Sequence, residues 1–257
     1  MLGTGFGFTT LAERRKSAFT PAELSGLVAW YDPSDLTTLY QDVAMTVPVT
    51  ATGQSVAAMR DKSGHGYHLT QATASKRPLY KTDGTLHWLE SDGVDDELTI
   101  ASRFGLAANP DLSVIAGMRW IGTKAQARVF GIGSGTGSLN GSCGTDGWAW
   151  RFDAGYASFG TNTVNTDVVA TWMRQNATNF GASQFWRNGV QRSLDTSSNA
   201  SGLPSNTTAV FSMFQGGTSS TTFANIRLYG LVLGNFFDRT RAAQVEAWMA
   251  RKSGVTL

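Results

Sequence analysis

The chain has 257 residues and a formal net charge of +2, with 21 Lys and Arg against 19 Asp and Glu. This balance argues against a nucleic-acid partner and against an anionic membrane surface, and no stretch approaches the roughly 20 apolar residues of a membrane-spanning helix. The single cysteine, Cys143, excludes an intrachain disulfide, whereas 29 Gly and 8 Trp are typical of a protein built from strands and tight turns.

Residues 1–24 differ in composition from the rest and are predicted to be an N-terminal docking arm. The first residues are rich in Gly and Phe without periodicity, and they lack the basic start and apolar core of a secretory signal. Phe6, Phe8 and Phe19 have no neighbouring sequence that could bury them, so they are candidate residues for docking onto a partner. A disordered leader is the alternative. We expect folding in the cytoplasm of the producing cell.

Residues 25–257 are predicted to form one all-β domain, because short strand-like runs alternate with clusters of Gly, Asn, Asp and Ser. Asn188-Gly189 separates two such runs and predicts a tight hairpin. The stretches 134–147 and 195–208 are predicted to be surface loops. The predicted strands are 27–31, 86–90, 97–101, 112–120, 128–132, 148–153, 156–159, 168–173, 183–187, 190–194, 209–214 and 226–233.

The segment 238–252 is predicted to be a closing helix. Asp238 can accept hydrogen bonds from the free N–H groups of its first turn, and Gly254 is suited to end it. Apolar residues recur at the spacing of one helical face, which is expected to pack on the sandwich. The positions expected to face the sandwich are Val245, Trp248 and Met249.

An acidic turn joins two of the predicted strands, in the run Trp88-Leu89-Glu90-Ser91-Asp92-Gly93-Val94-Asp95-Asp96-Glu97-Leu98. Asp92, Asp95 and Asp96 cluster their carboxylates, and Ca²⁺ prefers such oxygen ligands on loops. Asp side chains in turns also accept backbone N–H bonds, and the spacing does not match an EF-hand loop. We therefore predict a structural turn and no metal or other cofactor, with a Ca²⁺ site as the alternative.

Aromatic residues supply the candidate carbohydrate contacts. Trp148 and Trp150 are two residues apart, so they share a face if 148–153 is a strand, and Tyr156 follows in the next run. Their rings could stack on the apolar faces of sugars at a rim next to the Gly-rich 134–147 stretch. Packing in the core is the alternative, because Trp is highly buried on average.

Five segments, taken in order, resemble the concanavalin A-like (laminin-G-like) jelly-roll modules of bacterial and bacteriophage surface proteins. The resemblance covers roughly residues 25–257. It implies an antiparallel jelly-roll β-sandwich with one C-terminal α-helix. The segments are Leu27-Val28-Ala29-Trp30-Tyr31-Asp32, Asp61-Lys62-Ser63-Gly64-His65-Gly66-Tyr67-His68, the acidic turn, Phe185-Trp186-Arg187-Asn188-Gly189, and the closing helix.

The same architecture hosts laminarinase-like glycosidases, which carry a Glu-x-Asp-x-x-Glu motif on one strand. Glu90-Ser91-Asp92 matches its first half, but the next acidic residue of that type, Glu97, lies seven residues from Glu90 and beyond the turn. Residues an odd number apart on a strand point to opposite faces. We therefore expect no enzymatic activity.

The resemblance implies a virion-associated structural protein, a capsid- or tail-attached spike or fibre component at the virion surface. The arm would dock onto other virion proteins, the sandwich would face outward and bind a host cell-surface glycan, and the protein would form a homo-oligomer. The alternatives are a stand-alone bacterial carbohydrate-binding module, a decoration protein without a ligand, and a glycoside hydrolase.

Overall fold

The computed structural model describes residues 18–107, 110–124, 126–133, 139–152, 155–175, 182–197, 210–216 and 222–257. In these residues the fold is the antiparallel jelly-roll β-sandwich that the sequence predicts, with one C-terminal helix. The helix is α1, Arg239–Ser253, and single 3-10 turns occupy Pro21–Glu23, Leu36–Thr38 and Ala74–Lys76. The strands are β1 Leu27–Tyr31, β2 Leu39–Tyr40, β3 Ala58–Met59, β4 Leu69–Thr70, β5 Leu79–Thr82, β6 His87–Glu90, β7 Leu98–Ile100, β8 Leu112–Trp120, β9 Ala127–Ile132, β10 Leu139–Cys143, β11 Ala149–Phe152, β12 Gly155–Ser158, β13 Asp167–Arg174, β14 Gln184–Arg187, β15 Val190–Arg192, β16 Thr196–Ser197, β17 Phe211–Met213 and β18 Ile226–Gly234.

Two sheets form the layers of the sandwich. Sheet A has the order β15-β14-β13-β8-β18-β6-β5, and β1 pairs with β18 beside β6. Sheet B has the order β16-β12-β11-β10-β9-β17-β7-β4-β3-β2. The predicted hairpin is confirmed, since Arg187 pairs with Val190 across a two-residue loop, Asn188 at φ 52° and Gly189 at φ 75°. Both angles are positive, as a type I′ turn requires.

The main core lies between the sheets and is rich in aromatic rings. Strand residues alternate between this core and the outer surface, as the pleat dictates. In β8, for example, Val114, Ala116 and Met118 point into the core, whereas Ile115 points away from it towards α1.

Helix α1 packs on the outer face of sheet A and makes a second apolar layer. Asp238 accepts hydrogen bonds from the backbone N–H groups of Thr240 and Arg241, and Gly254 ends the helix at φ 67°. Gly117 lets the helix approach the sheet closely, because a Cβ there would lie 2.9 Å from Met249 Sδ. The predicted inward residues are confirmed as buried: Val245, Trp248 and Met249.

Several strands of the structure were not predicted from the sequence. Strand β10, Leu139–Cys143, lies inside the stretch predicted to be a loop, and all of its residues are buried. Its small and polar residues lack the apolar alternation that marks a strand, so only pairing with β9 and β11 reveals it. Strand β5 and the two-residue strands β2, β3, β4 and β16 were likewise not predicted.

The described part of the predicted arm, residues 18–24, packs against the body. Leu24 is 6% exposed and joins the layer under α1, and Phe19 packs partly buried against the same layer. Arg251 Nη2 donates to the Phe19 carbonyl oxygen at 3.4 Å. Residues 18–24 therefore contact the sandwich of their own chain.

Candidate functional site

The two predicted carbohydrate-contacting tryptophans lie in the core, so that prediction is wrong for both. Trp148 is 1% exposed and stacks on Phe185, with ring centroids 5.0 Å apart. Trp150 is fully buried and donates from Nε1 to the Met173 carbonyl oxygen at 3.2 Å. They do share a face, as the spacing predicts, but that face is turned towards sheet A.

The outer face of sheet B carries a row of residues that continues across six of its strands. Directly paired residues on neighbouring strands project to the same face of a sheet. The row begins at Tyr156, the third of the predicted carbohydrate-contacting residues. It includes Gly131, which adds no side chain to this face. Its members are Tyr156, Arg151, Asn140, Gly131, Ser212 and Thr99.

Two arginines meet in this face on either side of strand β10. Arg128 of β9 is the cross-strand partner of Ser142, and Arg151 Nε donates to the Ser142 hydroxyl at 3.2 Å. The Arg151 guanidinium also lies over the Tyr156 ring, with Cζ 5.5 Å from its centroid. A cation held over an aromatic face orients both groups. Tyr156 is therefore brought into a polar site, while the two tryptophans are not.

The electrostatics of the two arginines are unusual. Burial, and next to it the charge of Arg151, lower the pKa of Arg128 to about 10. Burial also lowers the pKa of Arg151, against the opposing effects of Asp146 and Tyr156. Within the described part of the chain, Arg128 forms no ion pair, and its buried Nε has no hydrogen-bond partner.

A cavity of about 300 Å³ adjoins the Thr99 end of this row. Glu97 and Lys76 line it, and Gln71 Nε2 donates to Glu97 Oε1 at 3.4 Å. Burial raises the pKa of Glu97, while the nearby charge of Lys76 opposes that shift. Ser212, in the row next to Thr99, is fully buried, and its hydroxyl has no hydrogen-bond partner among the described residues.

The acidic turn is built around its own carboxylates. Asp92 Oδ1 accepts from the Val94 N–H at 2.7 Å, and Asp96 Oδ2 accepts from the Asp92 N–H at 2.9 Å. Oxygen atoms of Asp92, Asp95 and Asp96 lie within 4.8 Å of one another. Two of these three carboxylates accept backbone hydrogen bonds, as expected of a structural turn. The absence of a bound cation stays a prediction.

Glu90 and Glu97 do not share a site. Glu90, in β6 of sheet A, accepts from Arg227 Nε and from Trp88 Nε1, each at 3.1 Å. Glu97 immediately precedes β7 of sheet B, and its N–H donates to the Lys76 carbonyl oxygen at 3.0 Å. The acidic turn carries the chain from one sheet to the other between them.

Of the three predicted docking residues, Phe6 and Phe8 lie outside the described residues, and Phe19 packs under α1 as given above. Cys143 is buried in β10, which raises the pKa of its thiol and removes it as a reactive group. No helix in the described ranges has the length and apolar character needed to cross a bilayer.

Comparison with known proteins gives matches in structure. No protein-family model matches the chain, and no curated protein matches its sequence. A Trypanosoma rangeli sialidase in complex with the inhibitor DANA is 15% identical with a TM-score of 0.56, covering 86% of this chain and 33% of the sialidase. This chain therefore spans about a third of that protein.

Two further solved structures have the same fold. Domain 4 of AbnA, a GH43 extracellular arabinanase from Geobacillus stearothermophilus, in complex with arabinotriose, is 12% identical, with a TM-score of 0.52, and the match covers 87% of this chain and 100% of that domain. Botulinum neurotoxin type C, whose cell entry depends on two ganglioside molecules, is 9% identical, with a TM-score of 0.53 and coverage of 74% and 48%. At these identities the similarity shows the sandwich fold alone.

Sequence reasoning missed Arg128, Asn140, Ser142 and Arg151. The run Trp148-Ala149-Trp150-Arg151 contained a usable signal, since strand alternation puts Arg151 on the face opposite to the tryptophans. A single arginine between aromatic residues marks the outer face of that strand. The contribution of Arg128 depends on the register of β9 with β10, which no local pattern specifies.

Proposed function

We propose that the chain is a non-enzymatic carbohydrate-binding module whose sugar-binding surface is the outer face of sheet B. One observation carries this proposal: hydrogen-bonding side chains and an aromatic ring are aligned across paired strands of a single face. The fold is compatible with such a role, because the similar structures are those of a sialidase, an arabinanase domain in complex with arabinotriose and a toxin whose cell entry depends on gangliosides.

The chemistry of the face suits a sugar. Sugar hydroxyls both donate and accept, and the half-buried guanidinium groups of Arg128 and Arg151 can donate to them. The Tyr156 ring offers an apolar surface for the C–H face of a pyranose. Such a mixture of a few polar groups and an aromatic ring is typical of small-ligand sites.

Binding without cleavage is proposed from the carboxylates. Glycosidases that use two carboxyl groups need them about 5–10 Å apart on the two sides of the scissile bond. Glu97 is the acidic residue lining the cavity beside the row, and Glu90 is tied to Arg227 on sheet A. Glu97 therefore has no acidic partner among the residues lining that cavity.

The particle role is the second part of the proposal. We place the module on a phage or phage-like particle, at the virion surface, as a homo-oligomeric spike or fibre component that contacts host polysaccharide. The support is the ordered resemblance described from the sequence, together with a Phe-containing segment ahead of the sandwich. A stand-alone bacterial carbohydrate-binding module is the alternative, and mass spectrometry of purified particles distinguishes the two.

Two matched tyrosine variants test the binding face. Tyr156→Ala removes the ring beside Arg151, whereas Tyr40→Ala removes a ring that lies under Arg60 at 4.8 Å in β2, near the opposite edge of the same sheet. We expect binding to polysaccharide, measured by affinity electrophoresis and on a glycan array, to weaken in Tyr156→Ala and to persist in Tyr40→Ala. Both variants are compared at equal folded fraction by circular dichroism.

The outcomes separate the candidates. Sugar binding that Tyr156→Ala abolishes supports the proposed face, and equal loss in both variants would place the site elsewhere. Absence of binding to every glycan of the array would favour a decoration protein without a ligand. Release of reducing sugar from a bound polysaccharide would make the chain a glycosidase and overturn the non-enzymatic part.

A further inference from the structure

Neither arginine of the pair on the outer face of sheet B forms a salt bridge with another described residue. Among the described residues, the charged and phenolic groups acting on Arg151 are Asp146, Tyr156 and Arg128. Asp146 is exposed and accepts from Gln126 Nε2 at 3.2 Å. In the described part of the chain, the charged group that acts on Arg128 is Arg151.

Three other partly buried arginines of the described chain have acidic partners. Arg119 pairs with Asp167, Arg227 pairs with Glu90, and Arg239 pairs with Glu246. A buried charge without a partner is costly, so proteins normally supply one.

The geometry around the pair suits an oxyanion attached to a polar ring. Guanidinium groups present planar, paired donors that match carboxylate and other oxyanions, and a desolvated setting strengthens such contacts. Ser142 lies between the two arginines, and Asn140, 2% exposed, is the cross-strand partner of Arg151. Ser142 is also 2% exposed, so the half-buried guanidinium groups of Arg128 and Arg151 are the parts of this cluster that a ligand can reach.

We propose that Arg128 and Arg151 bind the acid group of an anionic sugar residue, so that the module selects acidic polysaccharide over neutral polysaccharide. This proposal rests on the sugar-binding function proposed above and specifies its substrate class. The acid group can be a carboxylate or a sulfate, because both present oxygen pairs to a guanidinium. Ser142 acts as a positioning residue, because it holds Arg151 Nε at 3.2 Å beside Arg128.

The first experiment compares acidic ligands with neutral copies of the same chains. Full-length protein is titrated with a panel of polyuronates and sialylated glycans, with their carboxyl-reduced forms, and with a sulfated neutral polysaccharide. We expect the acidic forms to bind about tenfold or more tightly than the reduced forms, as a charged hydrogen bond is typically worth. Raising the salt concentration should weaken acidic binding selectively. Polyglutamate serves as a polyanion without sugar.

The second experiment uses arginine variants with a matched control. Arg128→Gln should lose most of the preference for the acidic forms, and Arg128→Lys should retain part of it, because the charge remains but the paired donors do not. Arg187 and Arg192 form another arginine pair, on the β14–β15 hairpin of sheet A, and Arg192 lines a groove of about 480 Å³ there. Arg192→Gln should leave binding unchanged. Melting temperature is recorded for every variant.

Each outcome is decisive. Equal affinity for native and carboxyl-reduced chains overturns the acid-group proposal while sugar binding survives. Equal affinity for polyglutamate overturns the sugar part and indicates an acidic peptide partner. A loss in Arg192→Gln as large as in Arg128→Gln moves the site to the groove on sheet A. Failure to bind any glycan, acidic or neutral, overturns the proposed function itself.

Discussion

Glu90 and Glu97 lie seven residues apart in the chain but in different sheets of the sandwich. Glu90 is fixed to Arg227 and Trp88 on the outer face of sheet A, whereas Glu97 borders the cavity on the outer face of sheet B. The turn between them lets one segment supply a structural ion pair to one layer and a cavity-lining carboxylate to the other.

The separation of these two carboxylates predicts independent effects of their amide variants. Glu90→Gln should lower the free energy of unfolding by about 1 kcal/mol, because it weakens a half-exposed charged network. Glu97→Gln should leave stability nearly unchanged, because burial disfavours its charge. The double variant should equal the sum of the single effects in urea unfolding. A coupling above about 0.5 kcal/mol would contradict the assignment to separate networks.

The parts of the fold that depend on local chemistry were predictable from sequence. Asp238 and Gly254 mark the ends of α1 because capping involves neighbouring backbone groups, and Asn188-Gly189 specifies its hairpin for the same reason. The alternation of β11 between two faces was also predictable, but the sequence analysis placed the face of Trp148 at the surface, whereas it lies in the core. The alternation specifies which residues share a side and not which side is covered by the other sheet.

The candidate site depends on pairing between strands, and the sequence does not specify this. Arg128 reaches Ser142 only because β9 pairs with β10 through a register shift at Gly141. Strand β10 itself has the composition of a loop, so its neighbours were not predicted to be neighbours. Arg128 and Arg151 are 23 residues apart in the sequence, and no motif links them.

Trp248 is expected to be a main anchor of α1. Its ring packs edge-on against Trp30, with centroids 5.5 Å apart, and Lys252 Nζ lies 5.1 Å from its centroid. Truncating a buried Trp typically costs about 3–5 kcal/mol, so Trp248→Ala should lower the melting temperature sharply or prevent soluble expression. The control is Ala247→Ser, one residue earlier on the exposed side of the helix. Its melting temperature should equal that of the wild-type protein.

The raised pKa of Asp96 predicts that the protein loses stability as the pH rises. Burial raises its pKa from an ordinary 3.8 to about 6, so the folded chain holds a proton that the unfolded chain releases. Stability from this group is complete below pH 4 and is lost as pH rises through about 6. Asp96→Asn should remove that slope from the pH dependence of urea unfolding, while retaining an oxygen that accepts from the Asp92 N–H.

The matched control for Asp96 is Asp83, a turn aspartate with the opposite shift. Backbone N–H groups of Leu86 and Thr85 lower the pKa of Asp83, so its contribution is present above the unfolded pKa and is lost as pH falls. Asp83→Asn should therefore reduce stability at neutral pH and have little effect at the acidic end. If Asp96→Asn and Asp83→Asn changed the pH dependence in the same direction, the buried-carboxyl explanation would be wrong.

Calcium is expected to leave the stability unchanged. Ligands that bind only the folded state raise the melting temperature by mass action, so a Ca²⁺ site at the acidic turn would respond to added ion and to chelator. We expect equal melting temperatures in EDTA and in millimolar Ca²⁺, because Asp92 and Asp96 already accept backbone hydrogen bonds. An upward shift with Ca²⁺ that disappears in Asp95→Asn would reverse this prediction.

The N-terminal segment is expected to divide into two parts with different roles. A chain that begins at Ala18 keeps Phe19 and Leu24 against α1 and should melt with the full chain. A chain that begins at Ser25 loses Leu24, which is 6% exposed, and the cost of exposing such a side chain is about 1.5–3 kcal/mol. It should therefore melt several degrees lower, and Leu24→Ala in the full chain should reproduce most of that loss.

Docking onto a particle or into an oligomer is then expected to depend on residues 1–17 rather than on Phe19. The chain that begins at Ala18 should fold normally, with an unchanged circular-dichroism spectrum, and fail to join its assembly. Phe19→Ala in the full chain should lower stability slightly and still assemble, because Phe19 packs within its own chain. Normal assembly by the Ala18 chain, measured by sedimentation of particles or of the isolated oligomer, would move attachment to the sandwich. Loss of assembly in Phe19→Ala at unchanged stability would return Phe19 to the docking surface.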